Sequence, residues 1–230
     1  MVVPSTGQAP AADEPPVQRF RLRKGLDIPL SGAPAPVADA AAIPRAQPAH
    51  HVAYVGLDVR GPKRLPTLEV AEGDRVRLGQ PITRRKAYRQ VVGTAPGSGV
   101  VEAIHRGPRR VLETVVIRLD DPEHDPNGGD QETFNAYSPA ELDGLSRDQV
   151  IENLTASGAW LTLRTRPFSM IADPGLAPAA MFVTAMDSQP LAADPTPMIR
   201  AHGEAFADGL RVLAKLTDGP LYVCTRPDAG

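Results

Sequence analysis

The spacing of apolar and polar residues changes character near residue 120. From Pro66 to Leu119 the apolar positions come in short runs broken by turn chemistry. The first half, LEVAEGDRVRLGQPI, places turns at Gly73-Asp74 and Gly79-Gln80 between valine and isoleucine positions. The second half, GTAPGSGVVEAI, turns at Pro96-Gly97 and Gly99 before a strand from Val100 to Ile104. LETVVIRL, Leu112 to Leu119, reads as a further strand. Short β-rich runs punctuated by Gly-Asp and Pro-Gly pairs predict a compact all-β unit. Two earlier segments belong with it: RFRLRK (19–24), suited to a short edge strand, and HVAYVGLDV (51–59), another strand. Between them GLDIPLSGAPAP is turn-rich.

Beyond residue 131 the period lengthens. Ser138, with Pro139 and Glu141 behind it, is placed to cap one helical segment. Ser146 opens a second, SRDQVIENLTASG, with Val150, Ile151 and Leu154 on one face and Gly158 at its end. A strand is predicted from Ala180 to Met186. It is followed by an amphipathic helix marked by Phe206, Leu210, Leu213 and Leu216, then Gly219 and a strand from Pro220 to Cys224. Strand, helix, strand is the signature of a parallel α/β unit. Two strands rarely make a sheet alone, so this region reads as a truncated Rossmann-like unit. The expected fold class is α+β, a barrel-like β domain followed by a partial Rossmann-like α/β domain. The expected divisions are a disordered Pro/Ala tail (1–18), the β domain with its N-terminal strands (19–119), a polar linker (120–131) and the α/β region (132–230).

Composition narrows the possibilities. One cysteine among 230 residues excludes a disulfide framework and any Cys-based metal or Fe–S site within one chain. No apolar run reaches the roughly 18–20 residues that span a bilayer. The amino-terminal MVVPSTGQAPAADEPP lacks the basic-then-apolar order of a secretory signal. The net charge of −2 conceals an asymmetry: residues 58–118 hold 13 Lys/Arg against 6 Asp/Glu, whereas residues 119–230 hold 7 against 17. A basic half invites a nucleic-acid reading. Its arginines are interleaved with strand residues and lack aromatic stacking partners, so a solvated or subunit-facing surface is expected and nucleic acid is not.

Candidate chemistry concentrates between Ser157 and Pro195, in SGAWLTLRTRPFS, the strand AMFVTAMD and SQPLAADP. This stretch carries the only tryptophan, Trp160, with Arg164, Arg166 and Phe168, and its strand ends on Asp187. Ligands of open α/β sheets sit at strand carboxyl ends, which draws attention to Asp187. Arg164 and Arg166 could clamp an anion, or pair with carboxylates such as Asp187 to hold the loop. Phe168 and Trp160 are apolar rings, and rings at such positions more often serve as core. Elsewhere the signals are thin. Cys224 ends a strand and reads as a small hydrophobe. His50, His51, His105, His124 and His202 show no metal-ligand spacing, and no glycine-rich phosphate loop occurs. The linker's five acids and His124 lack EF-hand spacing, so it reads as solvated linker and no metal site is expected.

The half-motifs VxEGDxVxxGQ and TAPxxGxV resemble the biotinyl/lipoyl-type barrel-sandwich domain. Such domains often carry a cofactor on a hairpin lysine. Lys86, in TRRKAYRQ of the hairpin region, is the candidate here, but it lacks flanking methionines and lies nine residues before Ala95, longer than carrier hairpins usually allow. A free-standing carrier module modified at Lys86 is the alternative reading. Taken in order, KGLDIPLSGAP, the two half-motifs, HRGPRRVLETVVI, SGAWLTLRTRPFS, FVTAMDSQPLAADP and EAFADGLRVLAKLTDGPLYVC resemble the family of the A subunit of the sodium-translocating NADH:quinone oxidoreductase (Na+-NQR), in its N-terminal portion. The resemblance implies a peripheral subunit on the cytoplasmic face of the bacterial inner membrane, partnered by five other subunits and with ubiquinone as a further candidate. It implies a complex that uses NADH, flavins, Fe–S centres and ubiquinone to export sodium. In related flavin-binding subunits a glycine-rich loop approaches flavin and nucleotide. The corresponding LRTRPFS has no glycine between Gly158 and Gly175. The resemblance therefore implies that Trp160, Arg164, Arg166, Phe168 and Asp187 mark a degenerate flavin site or a quinone contact. It also implies no cofactor on this chain and no catalytic residue, leaving assembly or quinone interaction as its role.

Overall fold

The computed structural model describes residues 32, 34, 41, 48–56, 66–120, 130–187, 189 and 191–226. The predicted tail, the edge strand 19–24 and most of the linker lie outside the described residues. So does the second half of the predicted strand 51–59, of which β1 (His51–Val55) is present.

The β domain is two sheets packed face to face. One follows the order β1, β7 (Leu112–Leu119), β6 (Gly99–Arg106), β3 (Arg75–Val76). The other follows β2 (Thr67–Leu68), β4 (Pro81–Arg84), β5 (Val92–Thr94). All pairs in both are antiparallel. Their facing residues form one core of Val76, Ile82, Ala95, Val101, Leu112, Val115 and Ile117. Each sheet thus buries one face, which is what makes such short strands stable. Register is adjusted inside β6. Val101 pairs with Ile117 and Ala103 with Val116, so Glu102 is the extra residue of a bulge. The bulge breaks the two-residue period, and Val101 and Ile104, three apart, both meet the core.

Residues following the linker return to the barrel before entering the second region. Leu78 N–H donates to Asp130 O and Glu132 N–H to Leu78 O, and Gln131 bridges Leu78 in parallel. The helix expected from Ser138 does not form. Ser138 N–H and Oγ donate to the Glu141 carboxylate, closing a turn that leads only into a short 3-10 segment at 142–144. Ser138 thus donates its hydroxyl where a cap would accept a backbone N–H, and the turn places Leu142 and Leu145 in the second core.

The second region contains α1 (Arg147–Ala156), β8 (Met181–Thr184), α2 (Thr196–Ala201), α3 (Gly203–Ala214) and β9 (Leu221–Cys224). β8 and β9 pair in parallel, with Met181 opposite Leu221 and Thr184 opposite Cys224, giving the predicted strand–helix–strand unit. The expected single helix is divided at His202, which leaves the helical region at φ −123° and ψ 36°. Leu216 lies past its end, where it is nonetheless buried. One face of the two-stranded sheet is open: Phe182 is 65% exposed and stacks on Tyr222, ring centroids 5.1 Å apart.

Candidate functional site

The Trp160–Phe168 stretch is positioned from its amino-terminal side by α1. Ser146 and Gln149 form a reciprocal capping box: Gln149 N–H donates to Ser146 Oγ and Ser146 N–H to Gln149 Oε1. Val150 is buried, and Ile151 and Leu154 pack beside it in the second core. Gly158 ends the helix in the left-handed conformation, φ +79°. A Cβ there would also stand 2.9 Å from Thr94 Oγ1, so the helix terminates directly against the barrel. A 3-10 turn, 159–162, then directs Trp160 inward, where it is 3% exposed and donates its indole N–H to Ala172 O at 2.9 Å.

From this buried root the chain projects as a short finger. Ala172 N–H donates to Leu163 O, Arg164 pairs antiparallel with Ile171, and Thr165 N–H donates to Met170 O at 2.7 Å. The tip is Arg166-Pro167-Phe168-Ser169, with a cis peptide at Arg166–Pro167 and Ser169 at φ +52°. Phe168 is 80% exposed. The backbone N–H groups of Leu163, Thr165 and Ala172 donate within the stretch.

The barrel meets this root through the loop from β4 to β5. Val91 is fully buried and belongs with Trp160, Ile171 and Val150 to the second core, against which Tyr88 also packs. The loop is tied internally, Arg85 N–H to Val91 O and Val91 N–H to Tyr88 O, and Arg84 clamps it by ion-pairing with Glu69 while donating to Arg89 O. Lys86 itself is exposed. Arg85 is 3% exposed and lies within electrostatic reach of Tyr54, Tyr88 and Arg164. Burial pushes the Arg85 guanidinium down from its ordinary value; Arg164 pushes the same way, and the two tyrosines oppose. Burial raises the Tyr54 phenol, against the opposing effect of Thr83, whose Oγ1 donates to Tyr54 Oη at 3.1 Å. Tyr88 is raised by desolvation and then by the Asp173 carboxylate. The junction of the two regions is therefore a polar cluster over an apolar base.

The predicted residues are dispersed. Trp160 is sealed in the core, Arg164 stands at the root of the finger facing the Arg85 cluster, and Arg166 and Phe168 occupy the tip. Asp187 lies three residues beyond β8 and accepts the Gln189 N–H at 2.9 Å, a local Asx turn. The sequence reading missed Tyr54, Arg85, Tyr88 and Asp173. The one available signal was Tyr88 and Val91 within an otherwise charged hairpin, apolar positions that require cover. Among the described residues no group of three His, Cys, Asp or Glu is arranged to hold a metal ion. No helix among them is long and apolar enough to cross a membrane.

Comparison with known proteins agrees with this two-part architecture. Residues 20–120 match the family described as the NqrA N-terminal barrel-sandwich hybrid domain, and residues 145–230 match the NqrA second alpha/beta domain. The chain is 47% identical over 207 residues to a protein of Hahella chejuensis named as the A subunit of Na(+)-translocating NADH-quinone reductase, covering 90% of this chain and 43% of that protein. Proteins of the same name from Pseudomonas aeruginosa (strain UCBPP-PA14) and Cellvibrio japonicus are 48% identical over 197 residues and 45% over 205. They cover 86% and 89% of this chain, and 41% and 43% of the respective relatives. The chain spans about two fifths of the length of these curated relatives.

Proposed function

The chain belongs to the NqrA family, that of the A subunit of Na(+)-translocating NADH-quinone reductases, and on that premise we propose that it is a peripheral, non-flavin subunit serving assembly. In this reading the complex couples NADH oxidation and ubiquinone reduction to sodium export. Flavins and Fe–S centres are carried by the five partner subunits, and this chain sits at the cytoplasmic face of the bacterial inner membrane. One observation carries the assignment of role: the Trp160–Ala172 stretch closes on itself through three of its backbone donors and the Trp160 indole. Leu163, Thr165 and Ala172 N–H groups are already bonded, and no glycine between Gly158 and Gly175 offers the bare backbone that close approach of a flavin or nucleotide needs. The residues present do not fit a flavin cradle.

Assembly is favoured over a quinone contact by the same geometry. Trp160 is enclosed and Phe168 is 80% exposed, so the two rings do not wall one cavity. The packing of the hairpin favours the assembly reading over the carrier alternative. The Lys86 loop is held by Val91 and Tyr88 in the second core, whereas a swinging lysine needs a hairpin free to visit other sites. The test is purification of the chain from a host expressing the other subunits, with absorbance recorded across the flavin bands of the near-ultraviolet and blue after release from the complex. The expected result is co-purification with the partner subunits and a colourless released chain. Stoichiometric flavin absorbance on the released chain would overturn the non-flavin reading.

A further inference from the structure

The barrel and the α/β region depend on each other unequally. Among the described residues the barrel core draws only on positions between Val52 and Ile117, so it is complete without the α/β region. The second core lies between Tyr137 and Leu216 except for two members, Val91 and Tyr88, which come from the barrel hairpin joining β4 to β5. Val91 is fully buried there, while Lys86, Ala87, Arg89 and Gln90 of the same hairpin are exposed. Other ties across the junction are polar. Leu78 N–H donates to Asp130 O, Glu132 N–H donates to Leu78 O, Arg77 pairs with Glu132, and Thr94 Oγ1 reaches Ser157 O at 3.4 Å.

We infer that the hairpin from Arg85 to Val91 is a strap on which the α/β region closes. When Val91 and Tyr88 leave the second core, that region opens as a unit from a standing barrel. It pivots at the Leu78–Gln131 bridge and carries the 165–170 finger with it. Two apolar side chains are a small contact for two packed regions, and regions joined by little apolar surface move relative to each other. A unit with few apolar contacts opens at a lower free energy than the core it adjoins. The α/β region has little of its own to oppose this, since its sheet has two strands and leaves Phe182 65% exposed. The pivot is backbone, two hydrogen bonds on one residue, and it survives the separation of side chains. The hairpin's own bonds, Arg85 N–H to Val91 O and Val91 N–H to Tyr88 O, lie against the second core and meet water when it departs. The strap is independent of the subunit role proposed above.

Hydrogen exchange of the whole chain, read by mass spectrometry at rising urea, tests the strap. In the unaltered chain the amides of 85–91 are expected to open with those of α1, Leu163, Thr165 and Ala172, at a lower free energy than those of β6 and β7. Val91→Ala removes two methyl groups from a sealed site. It should speed exchange in α1 and the finger root about 30-fold, equivalent to about 2 kcal/mol, and leave β6 and β7 unchanged. Val150→Ala, made in α1 where Val150 is buried, should loosen the barrel's own hairpin by a similar factor and again spare β6 and β7. Three results would each overturn the strap: hairpin amides that follow β6 and β7, α1 exchange unchanged in Val91→Ala, or β6 and β7 accelerated as much as α1.

Discussion

Replacing Gly158 by alanine tests whether the junction of the two regions is set by one glycine. Two costs add. An L-residue in the left-handed region loses roughly 1–2 kcal/mol relative to its normal conformation, offset by about 0.4–1 kcal/mol from the reduced freedom of the unfolded chain. The new methyl would meet Thr94 Oγ1 at 2.9 Å and Thr94 Cγ2 at 3.2 Å. Thr94 must then turn or retreat, weakening its 3.4 Å contact to Ser157 O and the closure of α1 on β5. A net loss of about 2 kcal/mol follows once roughly 1 kcal/mol is assigned to that crowding. With a urea m-value of about 3 kcal/mol/M for a chain of this size, the unfolding midpoint falls by about 0.7 M. Trp160, two residues away and the only tryptophan, is the natural probe: its emission should shift to the red as the region opens. Gly158→Asn keeps a residue tolerant of the left-handed conformation and should cost less than alanine by about half. Gly144→Ala is the control, because its Cβ meets nothing within 4 Å. If Gly158→Ala proves as harmless as Gly144→Ala, the argument that this glycine fixes the junction is wrong.

Further expectations concern protonation and the remaining named residues. Glu141, Asp143 and Asp194 have carboxyls held below their ordinary values of 4.5, 3.8 and 3.8 by Ser138, Arg211 and Thr196 respectively. A depressed carboxyl stabilises the fold above its unfolded value and loses that contribution as pH falls through its folded value. The urea midpoint should therefore be insensitive to these groups between about pH 6 and 8 and drop below about pH 4; Asp143→Asn should reduce the drop, and an unchanged profile would count against the Arg211 pairing. Tyr54 and Tyr88 are raised above 10, so ultraviolet absorbance titration of the phenolates should show a component completed above pH 10 that Tyr54→Phe and Tyr88→Phe each diminish. For these phenols stability is present below the unfolded value and is lost as pH rises through the folded one, so the junction should loosen in strong alkali. Trp160→Phe removes the donor to Ala172 O and leaves that carbonyl unpaired at a buried root, costing about 1–3 kcal/mol in urea unfolding; a loss under about 0.5 kcal/mol would show that the bond is not sustaining the finger. Intact mass after co-expression with biotin or lipoyl ligases should match the unmodified chain, since the Lys86 loop is held at Tyr88 and Val91.

Much of the architecture was local and therefore legible. The Gly-Asp and Pro-Gly turns delimited strands, Ser146 announced α1, and the step from Ala180 to Cys224 announced a parallel pair. Capping, turn preference and apolar period each act over a few residues, so the chain states them directly. Their failures came where distant parts intervened. Ser138 turned its hydroxyl to the Glu141 carboxylate and capped no helix, Leu142 and Leu145 were claimed by the second core, and Leu216 was buried beyond the end of the helix whose period it continues. The candidate site was legible as a place and not as a shape. The sequence alone determined that the stretch from Trp160 to Phe168 contains no glycine, two arginines and two aromatic rings. Only the tertiary structure decided that Trp160 faces the core and Phe168 the solvent, and that Arg85 and Tyr54 of the barrel join Arg164 at the junction. Side-chain direction in a closed loop depends on which neighbours exclude water from it. Here those neighbours come from distant segments: Val91 of the barrel lies 69 residues before Trp160 along the chain and Leu216 lies 56 after it, separations over which no local pattern of residues carries information.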